Sequence, residues 1–120
     1  MSPQFVDFDA DGRLDLVAGT FDGSPHLARG TEKGHAQPVQ ILDQDGARIV
    51  MSTMWDHDGK PPRWVELTRC DPDGGMLHRG HLTSAWAFDW DHDGDLDLLL
   101  GDHDHGQVML RRNLGKPGAP

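Results

Sequence analysis

The aspartates are the residues of this sequence best suited to chemistry. Two segments, DFDADGRLDLVAG from Asp7 and DWDHDGDLDLLLG from Asp89, share the pattern Asp-x-Asp-x-Asp-Gly-x-x-Asp. In a tight loop, carboxylates at positions 1, 3 and 5 converge, the Gly at position 6 permits the bend, and the carbonyl at position 7 adds an oxygen. Oxygen donors of this kind suit hard divalent cations, above all Ca²⁺. Each segment is therefore a candidate calcium-binding loop.

The loops differ from an EF-hand although they begin in the same way. An EF-hand requires a bidentate Glu at position 12 and a helix on each side. Position 12 is Ala18 in the first loop and Leu100 in the second, and the last acid stands at position 9, as Asp15 and Asp97. Because the flanking segments read as strands, we predict a calcium loop between two strands.

The loops are part of a longer internal repeat. Residues 7–19 recur as residues 89–101 at a constant offset of 82 positions, with eight identities. After a one-residue insertion in the second copy the similarity continues, and Arg29 matches Arg112. The first copy goes on to VQIL at residues 39–42, whereas the second ends before the equivalent segment. We therefore expect the second unit to lack its last strand.

The elements that position the loops are predicted to be short antiparallel strands. Gly and Pro interrupt nearly every window of twelve residues, which disfavours helices. Short apolar or alternating runs bounded by turn residues favour strands instead. These runs occupy residues 4–8, 14–19, 26–29, 38–42, 48–53, 63–69, 84–90, 96–101 and 107–112. The fold class that we predict is all-β.

The pattern DxDxDGxxDLxxG between strands resembles the FG-GAP or VCBS repeats, the calcium-binding blades of integrin-α-type β-propellers. The resemblance covers residues 4–42 and 84–114. It implies a calcium-binding repeat protein with two Ca²⁺ per chain, one for each loop. The implied ligands are the side chains of Asp7, Asp9, Asp11 and Asp15 with the carbonyl of Arg13, and those of Asp89, Asp91, Asp93 and Asp97 with the carbonyl of Asp95.

The same resemblance implies an architecture of β-propeller-type blades. Residues 1–42 would form one blade, residues 43–83 a degenerate blade or an insertion, and residues 84–120 a blade without its last strand. A closed ring needs about 4–8 blades of roughly 40–50 residues each, and this chain is long enough for about two or three. We expect it to be part of a longer propeller or a unit that assembles with copies of itself, with a small open stack of sheets as the third alternative.

The segment between the two loops leaves two questions open. WDHDG from Trp55 repeats part of the second loop, so Asp56 and Asp58 are candidates for a decayed third metal site, although an ordinary Asp-Gly turn is the favoured interpretation. The intervals of 47 residues from Asp9 to Asp56 and of 35 from Asp56 to Asp91 favour a degenerate blade over an insertion.

Composition and charge exclude several other classes of function. The chain has 120 residues, a net charge of −9 and one Cys, and eighteen of its 20 acidic residues are Asp. Such an acidic chain is a poor match for nucleic acid, and no stretch approaches the ~20 apolar residues of a membrane-spanning helix. A single Cys forms no internal disulfide. The first residues lack the basic start and apolar run of a signal peptide.

Several other residue groups carry weaker hypotheses. The eight His, densest at residues 78–81 and 102–105, suggest a zinc site, but solvent-facing His in turns are the favoured interpretation. Cys70 lies near His78 without a motif for a nucleophile, and glycosidase chemistry by the paired Asp conflicts with their use as ligands.

The aromatic and basic residues are assigned to packing and to solvent. Of the four Trp, most are expected to pack between blades, with sugar stacking as the alternative. Phe8 and Trp90 hold equivalent positions in the two loops, which predicts a shared packing role. Arg111, Arg112 and Lys116 are expected to be the charged residues of a solvated edge strand.

The function predicted from these features is that of a calcium-stabilised, non-enzymatic binding or structural module. The resemblance implies extracellular or cell-surface adhesion, ligand recognition or self-assembly, where affinities of ~10⁻⁴–10⁻³ M for Ca²⁺ suffice. Expected partners are further copies of the chain, the remainder of a longer propeller, or a glycan or protein ligand, but neither nucleic acid nor a membrane. The alternative is a carbohydrate-binding lectin or an accessory domain of a carbohydrate-active enzyme.

Overall fold

The architecture is that of a computed structural model, which describes residues 2–20, 23–49, 53–56, 58–66, 83–102 and 106–115. Within these residues the chain has eleven strands and no helix, and every strand pair is antiparallel. The strands are β1 (Gln4–Val6), β2 (Asp15–Gly19), β3 (Pro25–Ala28), β4 (Gly30–Thr31), β5 (Gly34–His35), β6 (Val39–Gln40), β7 (Thr53–Asp56), β8 (Arg63–Glu66), β9 (Thr83–Phe88), β10 (Asp97–Asp102) and β11 (Val108–Arg111). The predicted all-β, antiparallel fold class is confirmed. Among the described residues, none forms a helix long and apolar enough to cross a membrane.

Four strands form the N-terminal sheet, in the order β1-β2-β3-β6. Side chains alternate between the two faces of a strand, and residues directly opposite each other share a face. Val17 of β2 lies opposite Gln4 of β1 and Leu27 of β3. Val17 and Leu27 are buried, whereas Leu16, on the other face, is partly exposed. The face that carries Val17 is therefore the inner face of this sheet.

Three strands form the C-terminal sheet, in the order β11-β10-β9. Its pairing repeats that of β1, β2 and β3, with the one-residue insertion between its last two strands. The corresponding pairs are Leu16 with Phe5 and Ala28 in the first sheet, and Leu98 with Ala87 and Arg111 in the second. The repeat in the sequence is thus reproduced in the strand register.

The remaining strands form two short hairpins, β4–β5 and β7–β8. The β4–β5 hairpin lies in a segment for which the sequence analysis predicted no strand. Of the strand predicted at residues 48–53, Arg48 makes an isolated bridge with Leu42, Thr53 begins the strand Thr53–Asp56, and residues 50–52 lie outside the described residues. Asp56 lies in that strand, opposite Arg63, and Asp58 lies in the turn after it.

The two larger sheets pack on each other and enclose the core. The N-terminal sheet contributes Val17 and Leu27, the C-terminal sheet contributes Ala85, Ala87, Leu98 and Leu100, and Phe8 and Ile49 complete the cluster. Full burial of one large aliphatic or aromatic side chain contributes about 1.5–3 kcal/mol. This shared core fixes the two loop-bearing sheets relative to each other.

Gly19 allows β2 to approach β9 closely. A Cβ at this position would lie 1.9 Å from the carbonyl oxygen of Thr83, so a side chain does not fit. The Thr83 N–H donates to the carbonyl of Thr20 at 3.2 Å. The side-chain amide of Gln4 donates to the carbonyl of Ala87 at 2.9 Å and accepts from its N–H at 2.6 Å. These contacts join the outer edge of β9 to the N-terminal sheet.

Candidate metal centres

The two aspartate loops share one backbone conformation. Position 4 is a non-glycine residue with positive φ in both, 58° at Ala10 and 63° at His92. Position 6 is a glycine with positive φ in both, 87° at Gly12 and 95° at Gly94. Positive φ is uncommon for residues other than glycine. Its recurrence at the same two positions shows that the repeated sequence folds into the same loop twice.

The first aspartate of each loop closes the turn. In the first loop, Asp7 accepts hydrogen bonds from the N–H groups of Asp11 at 3.0 Å and Gly12 at 2.9 Å, one on each carboxylate oxygen. In the second loop, Asp89 accepts from the equivalent groups of Asp93 and Gly94, both at 3.2 Å. Short aspartate side chains commonly stabilise turns in this way.

The last aspartate of each loop is buried at the start of the following strand. Asp15 is 0% exposed and accepts from the N–H of Phe8 at 2.9 Å and of Gly30 at 2.7 Å. Asp97 is 1% exposed and accepts from the N–H of Trp90 at 3.0 Å and of Asn113 at 2.8 Å. Hydrogen bonds compensate the cost of burying a charge. These carboxylates therefore tie each loop to the segment that follows the third strand.

The second aspartate of each loop pairs with an arginine from that same segment. Arg29 contacts a carboxylate oxygen of Asp9, and Arg112 contacts one of Asp91. The side chains of Asp9 and Asp91 are 9% and 23% exposed. Arg29 and Arg112 occupy equivalent positions in the repeat, so each loop has a guanidinium at the same carboxylate. Arg112 is thus part of a loop contact and is not merely a solvated residue of an edge strand.

Positions 5 and 7 of the loops contact each other through the backbone amide. The N–H of Arg13 donates to Asp11 at 2.8 Å, and the N–H of Asp95 donates to Asp93 at 2.9 Å. Arg13 also forms an ion pair with Asp11 at 3.2 Å. These contacts orient the carboxylates at position 5. They involve the N–H group at position 7 and not its carbonyl oxygen, which is the implied metal ligand.

The carboxylates converge in both loops, but in different subsets. One oxygen from each of Asp7, Asp9 and Asp11 lies within 4.8 Å of the others, and the same holds for Asp89, Asp91 and Asp97. Each implied ligand set thus contributes three aspartates to such a cluster. Asp15 and Asp93 lie outside these groupings, although their carboxylates are hydrogen-bonded within the same loops. Both clusters have oxygen donors that could hold a metal ion.

One buried carboxylate oxygen in the second loop is suited to bind a cation. Asp91 Oδ1 is buried and has no hydrogen-bond partner among the described residues. Buried polar atoms are rarely left without a partner, and ordered water or a bound ion is a common explanation. The donor chemistry and this atom both fit a hard cation.

The second loop carries the larger excess of negative charge. Burial raises the pKa of Asp95, and the negative charges of Asp93, Asp89, Asp97 and Asp91 raise it further. The equivalent residue of the first loop is Arg13, a cation. A divalent cation would relieve the repulsion that raises this pKa.

Two of the Trp side chains are exposed, which corrects the expectation that Phe8 and Trp90 share a packing role. Trp86 is 55% exposed and Trp90 is 54% exposed, so neither lies in the core. Phe8 is buried in the core cluster, whereas its equivalent Trp90 makes an edge-to-face contact with Phe88 at 5.6 Å. The predicted shared packing role of Phe8 and Trp90 is therefore wrong.

Cys70 and the densest His positions (residues 78, 81, 103 and 105) lie outside the described residues.

Sequence reasoning missed the groups that close each loop from a distance. Asp9 and Asp91 pair with arginines about twenty residues later, and Asp15 and Asp97 accept from Gly30 and Asn113. The match of Arg29 with Arg112 in the repeat was the sequence signal that could have identified these arginines.

Comparisons with protein-family models, with curated proteins and with solved structures find no match to this chain.

Proposed function

We propose that this chain is a calcium-stabilised, non-enzymatic binding or assembly module built from β-propeller-type blades of the FG-GAP or VCBS kind. The observation that carries the proposal is the pair of loops with matching conformation, each with three carboxylates within 4.8 Å. The alternative, ordinary solvated turns, does not explain why four acids recur at identical spacing in both loops.

The proposed ligands are the carboxylates of Asp7, Asp9, Asp11 and Asp15 in one loop and of Asp89, Asp91, Asp93 and Asp97 in the other, each with the carbonyl at position 7. Bound Ca²⁺ would supply positive charge among carboxylates that otherwise repel one another. The chain itself supplies the orientation, because backbone amides hold the first and last aspartates of each loop. Arg29 and Arg112 balance part of the charge at the second aspartate.

The blade assignment is supported by the order of strands around each loop. The N-terminal sheet has four antiparallel strands, as a propeller blade has, and the C-terminal sheet repeats the first three. Calcium loops of moderate affinity suit a compartment where Ca²⁺ is abundant. We therefore propose an extracellular or cell-surface location and a role in adhesion, recognition or self-assembly.

Calorimetric titration of the metal-stripped chain with CaCl₂ tests this proposal. We expect about two Ca²⁺ per chain, one for each loop. Asp9→Asn and Asp91→Asn should each remove one binding event, since each replaces a charged oxygen donor by an amide. Asp45→Asn, in an exposed turn outside both loops, is the matched control and should retain both. Absence of binding, or binding unchanged in both loop variants, would refute the proposal.

A carbohydrate-binding module is the second candidate. The exposure of Trp86 and Trp90 favours it, since sugar rings stack on accessible aromatic faces. Titration with oligosaccharides while indole fluorescence is monitored tests it. Trp90→Ala should abolish any saccharide-dependent change, and a response that persists in this variant would exclude Trp90 as the stacking residue.

A further inference from the structure

We propose that copies of this chain associate head to tail, with the outer face of the C-terminal sheet of one copy packed on the outer face of the N-terminal sheet of the next. The first outer face carries Trp86, Phe88, Leu99, Val108 and Leu110. The second carries Phe5, Leu16, Ala18 and His26. This inference names the partner for the assembly role proposed above, and it rests on that role but not on calcium binding.

The interface inside the chain is the template for this association. The N-terminal sheet uses the face of Val17, and the C-terminal sheet uses the face of Leu98 and Leu100. In the repeat, Val17 corresponds to Leu99, and Leu98 corresponds to Leu16. Two different faces of the same repeated unit therefore meet. Within the described part of the chain, the N-terminal sheet still has its Leu16 face free, and the C-terminal sheet still has its Leu99 face free. These two faces are the repeat equivalents of the two that meet inside the chain, so a second copy can form the same heterologous contact.

Both outer faces carry exposed apolar side chains, and that of the N-terminal sheet also carries the polar His26 and Gln40. Strand pairing places Leu99 opposite Trp86 and Leu110, so these three side chains share the outer face of the C-terminal sheet. Trp86 is 55% exposed, and Val108 on the same face is 69% exposed. Phe5, on the outer face of the N-terminal sheet, is 61% exposed. Neighbouring exposed apolar residues, as on the C-terminal sheet, mark interaction surfaces.

A pair of glycines supports a second copy as the occupant. Gly19 has the backbone of Thr83 and Ser84 so close that a side chain there does not fit. At its repeat equivalent, Gly101, no atom of the described residues lies within 4 Å of the same Cβ position. The equivalent of Ser84 in the repeat is Ser2, near the start of the chain. A second copy that repeats the internal contact would bring Ser2 and its neighbours over Gly101 and fill this space.

Complementation between two blocked variants is the decisive experiment. Trp86→Glu blocks the outer face of the C-terminal sheet, and Phe5→Glu blocks that of the N-terminal sheet. Both positions are exposed, so circular dichroism should show folded chains. By sedimentation velocity with CaCl₂ present, the wild-type chain should associate as a ring or a longer array. Each variant alone should be monomeric, and an equal mixture should form a heterodimer and nothing larger, because one intact face remains on each chain.

Gly101→Val tests the close approach separately. Since no described atom lies within 4 Å of a Cβ at Gly101, the melting temperature of the monomer should not fall, while association should weaken at least tenfold. Leu114→Glu, an equally exposed apolar residue outside both faces, is the control and should leave association unchanged.

Several results would overturn the association. They are a wild-type chain that stays monomeric at high concentration, variants that associate unaided, or a mixture that stays monomeric. Calcium calorimetry on the same samples separates the two proposals. A monomer that binds Ca²⁺ refutes only the association, whereas an assembly that binds none refutes only the calcium role.

Discussion

Asp15 and Asp97 have both carboxylate oxygens hydrogen-bonded to backbone amides, and they are almost completely buried. A carboxylate bound in this way holds the loop in place whether or not a cation is present. The other aspartates of the loops are more exposed or paired with arginine, so their role depends more on the ion. The last aspartate of each loop is therefore a structural anchor with or without an ion, and Asp97 is also one of the clustered carboxylates that could hold one. The other acids carry charge that a cation would offset.

The role of Asp97 as an anchor can be tested without metal. Asp97→Asn replaces one acceptor by an NH₂ group that faces a backbone N–H, and it should lower the free energy of unfolding by about 1–3 kcal/mol in EDTA. Asp93→Asn is the matched control, because its remaining carbonyl oxygen can still accept from Asp95, and it should change stability by less than about 0.5 kcal/mol. Urea denaturation measures both values. Equal effects of the two variants would contradict the division of roles.

At the scale of the element, the side chain of Gln4 makes the hydrogen bonds to the outer edge of β9 that a neighbouring strand would otherwise make. Its side-chain amide bonds both the N–H and the carbonyl of Ala87, on the outer edge of β9. Gln4→Leu keeps a side chain of similar size but leaves both backbone groups without these partners, so we expect a loss of about 1–3 kcal/mol. Gln44→Leu, in an exposed turn, is the control for added hydrophobicity. Thermal melts of both variants check the difference, and equal melting temperatures would refute the role of Gln4.

Strand type and the loop residues were predictable because their signals are local. Short apolar or alternating runs bounded by turn residues marked β2, β9 and β10, and the spacing of the aspartates marked both loops. The β4–β5 hairpin was missed because its strands have two residues each, too few to show alternation. The bounds of β7 were not predictable either, because they are set by its pairing with β8, a later segment of the chain.

The faces that meet between the sheets were not predictable from alternation. Both faces of the C-terminal sheet are apolar, with Leu98 and Leu100 on one and Leu99 and Trp86 on the other. The choice depends on Gly19, which lets β2 approach β9, a contact between residues more than sixty positions apart. The arginine partners of Asp9 and Asp91 depend in the same way on how β3 and β11 end.

At the scale of the whole molecule, the two loops lie in different sheets that share one core. Among the described residues, the hydrogen-bond and ion-pair partners of the two loops do not overlap, so binding at one loop should not require the other. The shared core makes the two sheets unfold together, so that each bound ion should stabilise the same transition. Two Ca²⁺ would also bring the net charge of −9 to about −5.

Calcium should therefore raise the melting temperature in two independent increments. At a free Ca²⁺ concentration of 100 times Kd, each site should add about 2.7 kcal/mol, and the two together should raise the melting temperature by about 20 °C. Asp9→Asn and Asp91→Asn should each retain about half of this gain, and the double variant should retain none, because effects at sites without shared partners add. Scanning calorimetry in EDTA and in CaCl₂ measures the increments for the wild type and the three variants. If one single variant abolished the whole gain, the loops would be coupled and the assignment of one independent ion to each would be wrong.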